Sequence, residues 1–364
     1  MFRGSRILVA PLDWGLGHAT RCIPIIRRAL ELDAVPIIAA DNAPLELLRA
    51  EFPQLQWVKL EGRPVKYSKG RAQVATLAFQ LPALLRSIAT ERERTKAICT
   101  ELQIDAIISD QRFGVRHAAI PGVLLTHQLY PQVDPGRSIA RWLNHRYIDR
   151  FDRCWIVDHP GLPGLAGELS HGINPDNSRY IGPLSRFSEM PRPSGIGHRI
   201  VSIISGPEPQ RSLLEKTLIE QMSRIEGDHL LLKGVPGAPS GHIANIRIVP
   251  HLSTEAIAHE LVNADLVVGR CGYSTLMDLD ALGLNALLIP TPGQPEQEYL
   301  ARLHSAFGTH IIQDQFAIDL KDALSRIGGK RSRKAIPNKD LLEEAFLELS
   351  TLMNRSGGAD LIEH

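Results

Sequence analysis

"ADLVVGRCGYSTLMDLDALGLNALLIPTPGQPEQEYLA" occupies residues 264–301. Its opening run "DLVVGR" is short, β-branched and bounded by turn residues, as a buried strand is. "YSTLMDLDALG" follows as a helix. "NALLIPT" is a second strand and "EQEYLARLHSAFG" a second helix. Strand, helix, strand, helix is the repeating unit of a parallel sheet covered by helices.

The same alternation runs outward in both directions. Upstream, "RIVSIISG", "HLLLKG" and "IRIVPHL" read as strands, with "QRSLLEKTLIEQMSRI" and "STEAIAHELVNA" as helices. Before them, Gly182 to His198 carries three prolines and three glycines and has no period, so 183–198 is expected to be a linker. A first series precedes it: "RILVAPL", "VPIIAAD", "QWVKLEG", "DAIISD", "GVLLTHQ" and "RCWIVDH" as strands between amphipathic segments. The expectation is an α/β chain with two domains, 1–182 and 199–338. A C-terminal helix over 339–354 is expected to pack back on the first. Each domain opens with a strand and a glycine-containing turn. Open parallel sheets bind ligands beyond the carboxyl ends of their strands, so two such domains are expected to face one another across a cleft.

Composition narrows the function classes. Lys plus Arg number 41 and Asp plus Glu 40, so no overall field favours nucleic acid or an acidic partner. The cysteines Cys22, Cys99, Cys154 and Cys271 form no CxxC pair and no zinc-finger spacing, and read as reduced thiols. The N-terminal apolar run is too short for a signal peptide core, and no run approaches the roughly 20 apolar residues of a membrane span. A cytoplasmic protein is expected. "RSIARWLNHRYIDRF" at 137–151 mixes arginines with aromatics. It reads either as a half-buried helix with a solvated basic face or as a contact with an anionic membrane surface. "RSRK" at 331–334 reads as a solvated connection.

The glycine turns carry the chemistry. In "LDWGLGHATR", Gly15 and Gly17 follow the first strand, and N–H groups at a helix start favour an anion. Taken alone, the turn is open to three readings: a nicotinamide turn, with Asp41 at the end of the second strand; an empty turn; and a catalytic one. Thr20 stands where a dinucleotide site wants a third glycine. His18 suits proton transfer near neutral pH, but a histidine also caps and packs. In the second half, Gly272 permits a turn, Ser274 or Thr275 can cap the helix, and Asp278 lies one turn inside it. Gln294, Glu296 and Gln297 stand at the start of the next helix. Hydroxyls, a carboxylate and amides on one sheet edge suit a ribose diol and a diphosphate. Asp278 and Asp280 form a DxD, but residues i and i+2 of a helix do not share a face. No metal is expected there, and Asp280 reads as solvated. Arg270 reads as an aid to the diphosphate or as a structural arginine.

At these residues the chain resembles glycosyltransferase family 28, which includes the peptidoglycan N-acetylglucosaminyltransferase. "GLGH" matches that family's N-terminal loop, and "RCGYSTLMDLDALGLNALLIPTPGQPEQEYLA" follows the order of its C-terminal signature. The resemblance implies a GT-B fold, two Rossmann-like domains, and transfer of a sugar from a UDP-linked donor. N-acetylglucosamine is the implied sugar, and the acceptor a hydroxyl on a lipid-linked or glycan molecule. It implies that Asp278 holds the ribose and that Gly272, Ser274 and Thr275 lie near the diphosphate. Gln297 would meet the donor sugar, with Gln294 and Glu296 beside it. His18 becomes the general base, and Gly15 and Gly17 make room for sugar and phosphate. His127 and Gln128, in "LLTHQLYP", fall where the family has a His–acid pair facing the acceptor. Gly206, in "ISGPEPQRSLLE", falls in a loop near the phosphates, where Pro207 and Pro209 each remove an N–H donor. The expected reaction is metal-independent, inverting transfer without a cofactor. Two readings on the same scaffold stand beside it, a nucleotide-sugar hydrolase or epimerase and a non-catalytic nucleotide-sugar-binding protein. "GLGHATR" also resembles the opening of a related nucleotide-sugar hydrolase.

Overall fold

The computed structural model describes residues 2–62, 73–132, 136–188, 190–191, 193–235, 238–327 and 339–359. The chain divides into two compact units, Met1–Leu184 with Pro337–His364, and Ser185–Ile336. "RSRK" at 331–334 lies outside the described residues.

The first unit runs β1 (Arg6–Ala10), α1 (Leu16–Glu31), β2 (Val35–Ala40), α2 (Asn42–Glu51), β3 (Trp57–Lys59), α3 (Gln73–Leu102), β4 (Ala106–Asp110), β5 (Gly122–Thr126), α4 (Arg137–Ile148), β6 (Arg153–Ile156) and β7 (Ser178–Tyr180). The second runs β8 (Ile200–Ile203), α5 (Gln210–Met222), β9 (His229–Leu232), β10 (Gly241–Ile243), β11 (Ile246–Val249), α6 (Thr254–Val262), β12 (Leu266–Arg270), α7 (Tyr273–Leu282), β13 (Leu287–Ile289), α8 (Pro295–Phe307), β14 (Ile311–Ile312) and α9 (Leu320–Ile327). The last helix, α10 (Lys339–Ala359), belongs to the first unit. There Phe346 packs its ring on Phe2 and Trp155, and Glu344 and Glu348 pair with Arg179.

Among the described residues each unit builds one seven-stranded sheet. The orders are β3-β2-β1-β4-β5-β6-β7 and β10-β11-β9-β8-β12-β13-β14. Pairing is parallel except between β10 and β11. The central strands are buried along their length, as sheets covered by helices on both faces require. Each apolar side chain so covered contributes about 1.5–3 kcal/mol. Two of the strands, β7 and β10, are three residues long and lack an apolar run, which is why the sequence reading passes over them.

The strand orders locate the crevices. In the first sheet the chain moves from β1 outward to β2 and β3, then returns to the other side of β1 as β4. In the second it moves from β8 to β9 and β11, then returns beside β8 as β12. Loops leave these neighbours in opposite directions, so a crevice opens at their carboxyl ends. The β1/β4 and β8/β12 edges are therefore the places to look for ligands.

The expected linker is more than a connection. Leu184 and Phe187 are buried, and Ser185 Oγ donates to Asp278 Oδ1 at 2.6 Å.

Candidate functional site

At the β1/β4 edge, Gly15 precedes α1 with φ +112°, a conformation open to glycine and strained for other residues. This turn brings His18 into the first turn of α1, where its ring meets the end of β4. His18 Nδ1 lies 2.9 Å from Asp110 Oδ2, and the His18 side chain stays 19% exposed while that of Asp110 is fully buried. One helical turn on, Arg21 is also buried. Its Nε donates to Asp110 Oδ2 at 2.7 Å, and Nη2 donates to Oδ1. Nη2 also lies 2.8 Å from His18 Nδ1, and Nη1 lies 3.1 Å from Nδ1 of His127, just past the end of β5. Gln128 follows, half-buried, with its Nε2 3.4 Å from His127 Nε2.

The electrostatics follow from burial and charge. Burial pushes His18 below the ordinary histidine range, and the Arg21 cation pushes it further. Asp110 pulls the other way without reversing the result. For Asp110, burial opposes ionisation, but Arg21 and His18 together hold its carboxyl below the usual range. The carboxylate is thus ionised and the imidazole neutral near pH 7. A carboxylate only accepts hydrogen bonds and a guanidinium only donates. His18 Nδ1 can therefore serve one of these neighbours at a time. Donation to Asp110 leaves a lone pair on Nε2, which is the form a general base needs. Asp41, the residue that would mark a dinucleotide site, instead caps α2 by accepting from Asn42 N.

The second unit assembles a polar edge of its own. Gly206, after β8, has φ +107°, and a side chain there would meet Thr291 Oγ1 and Arg270 Nε. Among the described residues, Thr291 Oγ1 and Gln294 Oε1 are buried without a hydrogen-bond partner. The amide of Gln297 is anchored because its Oε1 accepts from Thr291 N at 2.9 Å, and its Nε2 faces Gly272. Arg270 is buried, and its Nη2 donates to Gln210 O at 2.8 Å. Its longer contacts reach Ser205 O, Ile289 O and Pro290 O, so it ties together the loops after β8 and β13. Burial pushes it down to about 10. Asp278, inside α7, is raised above the usual carboxylate range by burial, with Arg186 and Ser185 opposing.

Several local expectations change here. The N-cap of α7 is Gly272 and makes no side-chain cap bond, so Ser274 and Thr275 sit inside the first turn and do not cap it. Asp280 is half-buried and its charge is felt by His310, so it is not simply solvated. The start of α5 is already served, since Glu208 Oε2 accepts from Ser212 N at 3.2 Å. Gln294 is the residue before α8, Glu296 lies in its first turn, and Gln297 is buried.

Residues 244–348 match the glycosyltransferase family 28 C-terminal domain. The chain is a glycosyltransferase. Over 319 residues it is 22% identical to the UDP-N-acetylglucosamine--N-acetylmuramyl-(pentapeptide) pyrophosphoryl-undecaprenol N-acetylglucosamine transferase of Glaesserella parasuis, covering 82% of each chain. Among solved structures it resembles the glycotransferase of kitacinnamycin, with TM-score 0.62, 16% identity and 99% of both chains covered. It also resembles the spinosyn rhamnosyltransferase SpnG complexed with thymidine diphosphate, with TM-score 0.59, 16% identity and 94% of this chain and 96% of that chain covered. The fold of this glycosyltransferase is GT-B.

Sequence reasoning does not bring Asp110, Arg21 and Thr291 to these two crevices. Asp110 is legible afterwards as the polar residue closing an all-apolar strand next to β1. Arg21 is the helical neighbour of His18 at i+3. Nothing in the sequence pairs them, because the ladder between β1 and β4 joins residues about 100 apart. Thr291 had a weaker signal, a hydroxyl where a strand meets a Pro–Gly loop.

Proposed function

We propose that this enzyme is an inverting glycosyltransferase in which His18 is the general base. The acceptor hydroxyl attacks the anomeric carbon and gives its proton to His18 Nε2. The bond from that carbon to the diphosphate breaks, and its electron pair leaves on the phosphate oxygen. Asp110 keeps the proton of the resting imidazole on Nδ1 and stabilises the imidazolium that forms. The observation that carries this reading is the buried, ionised Asp110 against a partly exposed His18 at the β1/β4 crevice. Gly15 and Gly17 leave the backbone there open to sugar and phosphate.

In this reading the second unit holds the donor. Asp278 binds the ribose diol. Gly206, Gly272, Ser274 and Thr275 border the diphosphate, whose charge is met by backbone N–H groups at the start of α7. Arg270 fixes the surrounding loops. Gln297, with Gln294 and Glu296, meets the sugar. UDP as the nucleotide, N-acetylglucosamine as the sugar and a lipid-linked acceptor are taken from the name of the Glaesserella parasuis relative. No metal or cofactor takes part in the proposed step, so chelation with EDTA should leave turnover unchanged. The enzyme is proposed to work in the cytoplasm. Among the described residues no helix is long and apolar enough to cross a membrane. Peripheral attachment is assigned to α4, where Ile139 and Trp142 are exposed among arginines.

His18→Ala tests the reading: turnover should fall by about 10²–10⁴ while nucleotide affinity is kept, and full turnover would remove His18 from the mechanism. A second reading, hydrolysis of the nucleotide sugar by water, draws on Arg21 in "GLGHATR", which belongs to the buried cluster. Free sugar released without an acceptor, at the rate of transfer, would favour it.

A further inference from the structure

The base reading leaves Arg21 and His127 without assigned parts. Arg21 cannot lose its proton in a protein, so each of its contacts has a fixed direction. Its Nε and Nη2 donate to the two oxygens of Asp110, and the 2.8 Å approach of Nη2 to His18 Nδ1 is the contact given up when His18 donates to Asp110. Its Nη1 lies 3.1 Å from His127 Nδ1, which must therefore offer a lone pair. A histidine with a lone pair on Nδ1 carries its proton on Nε2. We propose that Arg21 is a positioning residue that gives the two histidines opposite parts. By donating to Nδ1 it holds His127 as the Nε2–H tautomer, a hydrogen-bond donor, and so leaves proton acceptance to His18 alone. Only that last clause rests on the reading of His18 as base.

The direction continues one residue further. His127 Nε2 is 3.4 Å from Gln128 Nε2, and two N–H groups cannot bond to one another. The amide orientation is set by its network. With a proton on His127 Nε2, the oxygen of Gln128 belongs on the His127 side, which turns its NH₂ outward. The chain Arg21→His127→Gln128 then runs in one direction, a donor meeting an acceptor at each step. Of the charged and titratable groups near His127, Arg21 meets its Nδ1 and His18 is within reach of its charge.

Two-bond nitrogen–proton NMR correlations on the full chain, labelled at histidine nitrogen, read the tautomer. His127 is assigned from the signal lost in His127→Gln. Nε2 should be protonated and Nδ1 bare, and a proton on Nδ1 would overturn the proposal. In Arg21→Lys a population with Nδ1–H should appear; an unchanged tautomer in a folded variant would show that Arg21 does not set it. Should that variant fail to fold, the wild-type spectrum and the His127 variants decide. His127→Ala should lower kcat/KM by about 3- to 10-fold, the worth of a neutral hydrogen bond. His127→Gln, which restores an N–H near the Nε2 position, should recover most of that loss and keep the acid limb of the pH–rate profile. Loss of that limb in His127→Gln would make His127 the base and refute the division of roles. If instead His18→Ala retained full turnover, the base reading would fail while the His127 tautomer stood.

Discussion

Asp110→Asn removes one charge with almost no change of shape, so its consequences can be worked from the contacts. Arg21, at 1% exposure, loses the carboxylate that meets both ends of its fork and becomes a buried cation without compensation. Breaking one side of such a pair costs about 3–5 kcal/mol. For a unit of this size that lowers the melting temperature by about 6–20 °C. The chemistry should suffer separately. The asparagine can turn its NH₂ toward His18 Nδ1, which then accepts and puts the proton on Nε2, the wrong nitrogen for a base. Turnover should drop by about 10²–10⁴, measured below the melting temperature with nucleotide sugar and acceptor. Asp110 also pulls His18 upward, so its removal should move the acid limb of the pH–rate profile to lower pH. An Asp110→Asn enzyme that melts earlier but keeps its turnover and acid limb would refute the argument, since Asp110 would then support the fold and nothing else.

Other outcomes follow from the same geometry. Asp278→Ala should weaken nucleoside diphosphate binding by about 10- to 100-fold in calorimetry, and unaltered binding would remove Asp278 from the donor site. Gly206→Ala forces a side chain into a glycine conformation beside Thr291, and should cost about 1–3 kcal/mol of stability and weaken nucleotide binding. His18 is held below its unfolded value, so its contribution to stability is complete above about pH 6.5 and is lost as pH falls toward its folded value. The wild-type melting temperature should decline over that window, and His18→Gln should flatten the decline. Vesicles rich in anionic lipid should float the wild-type chain, and Ile139→Ser with Trp142→Ser should abolish flotation; a wild-type chain left at the bottom of the gradient would dismiss the α4 contact.

The primary structure alone determined the class of fold, because the cues are local. Apolar runs such as "DLVVGR" and "NALLIPT", broken by glycine turns and helical spacing, are set by neighbours within a few residues. The places of His18, Gln297 and Asp278 were legible for the same reason, since each stands at a fixed offset from a strand end. Neither Ser274 nor Thr275 caps α7, because a cap depends on where the helix begins, and that boundary depends on the backbone of Gly272. Only the tertiary structure decided what stands against these residues. The return of the chain beside β1 as β4 brings Asp110 to His18, and the end of β5 brings His127 to Arg21, pairings between residues roughly 90–110 apart. Burial then supplies what no motif shows: a dry environment in which Asp110 stays charged, His18 stays neutral, and the fixed direction of a guanidinium's hydrogen bonds settles the part of each ring.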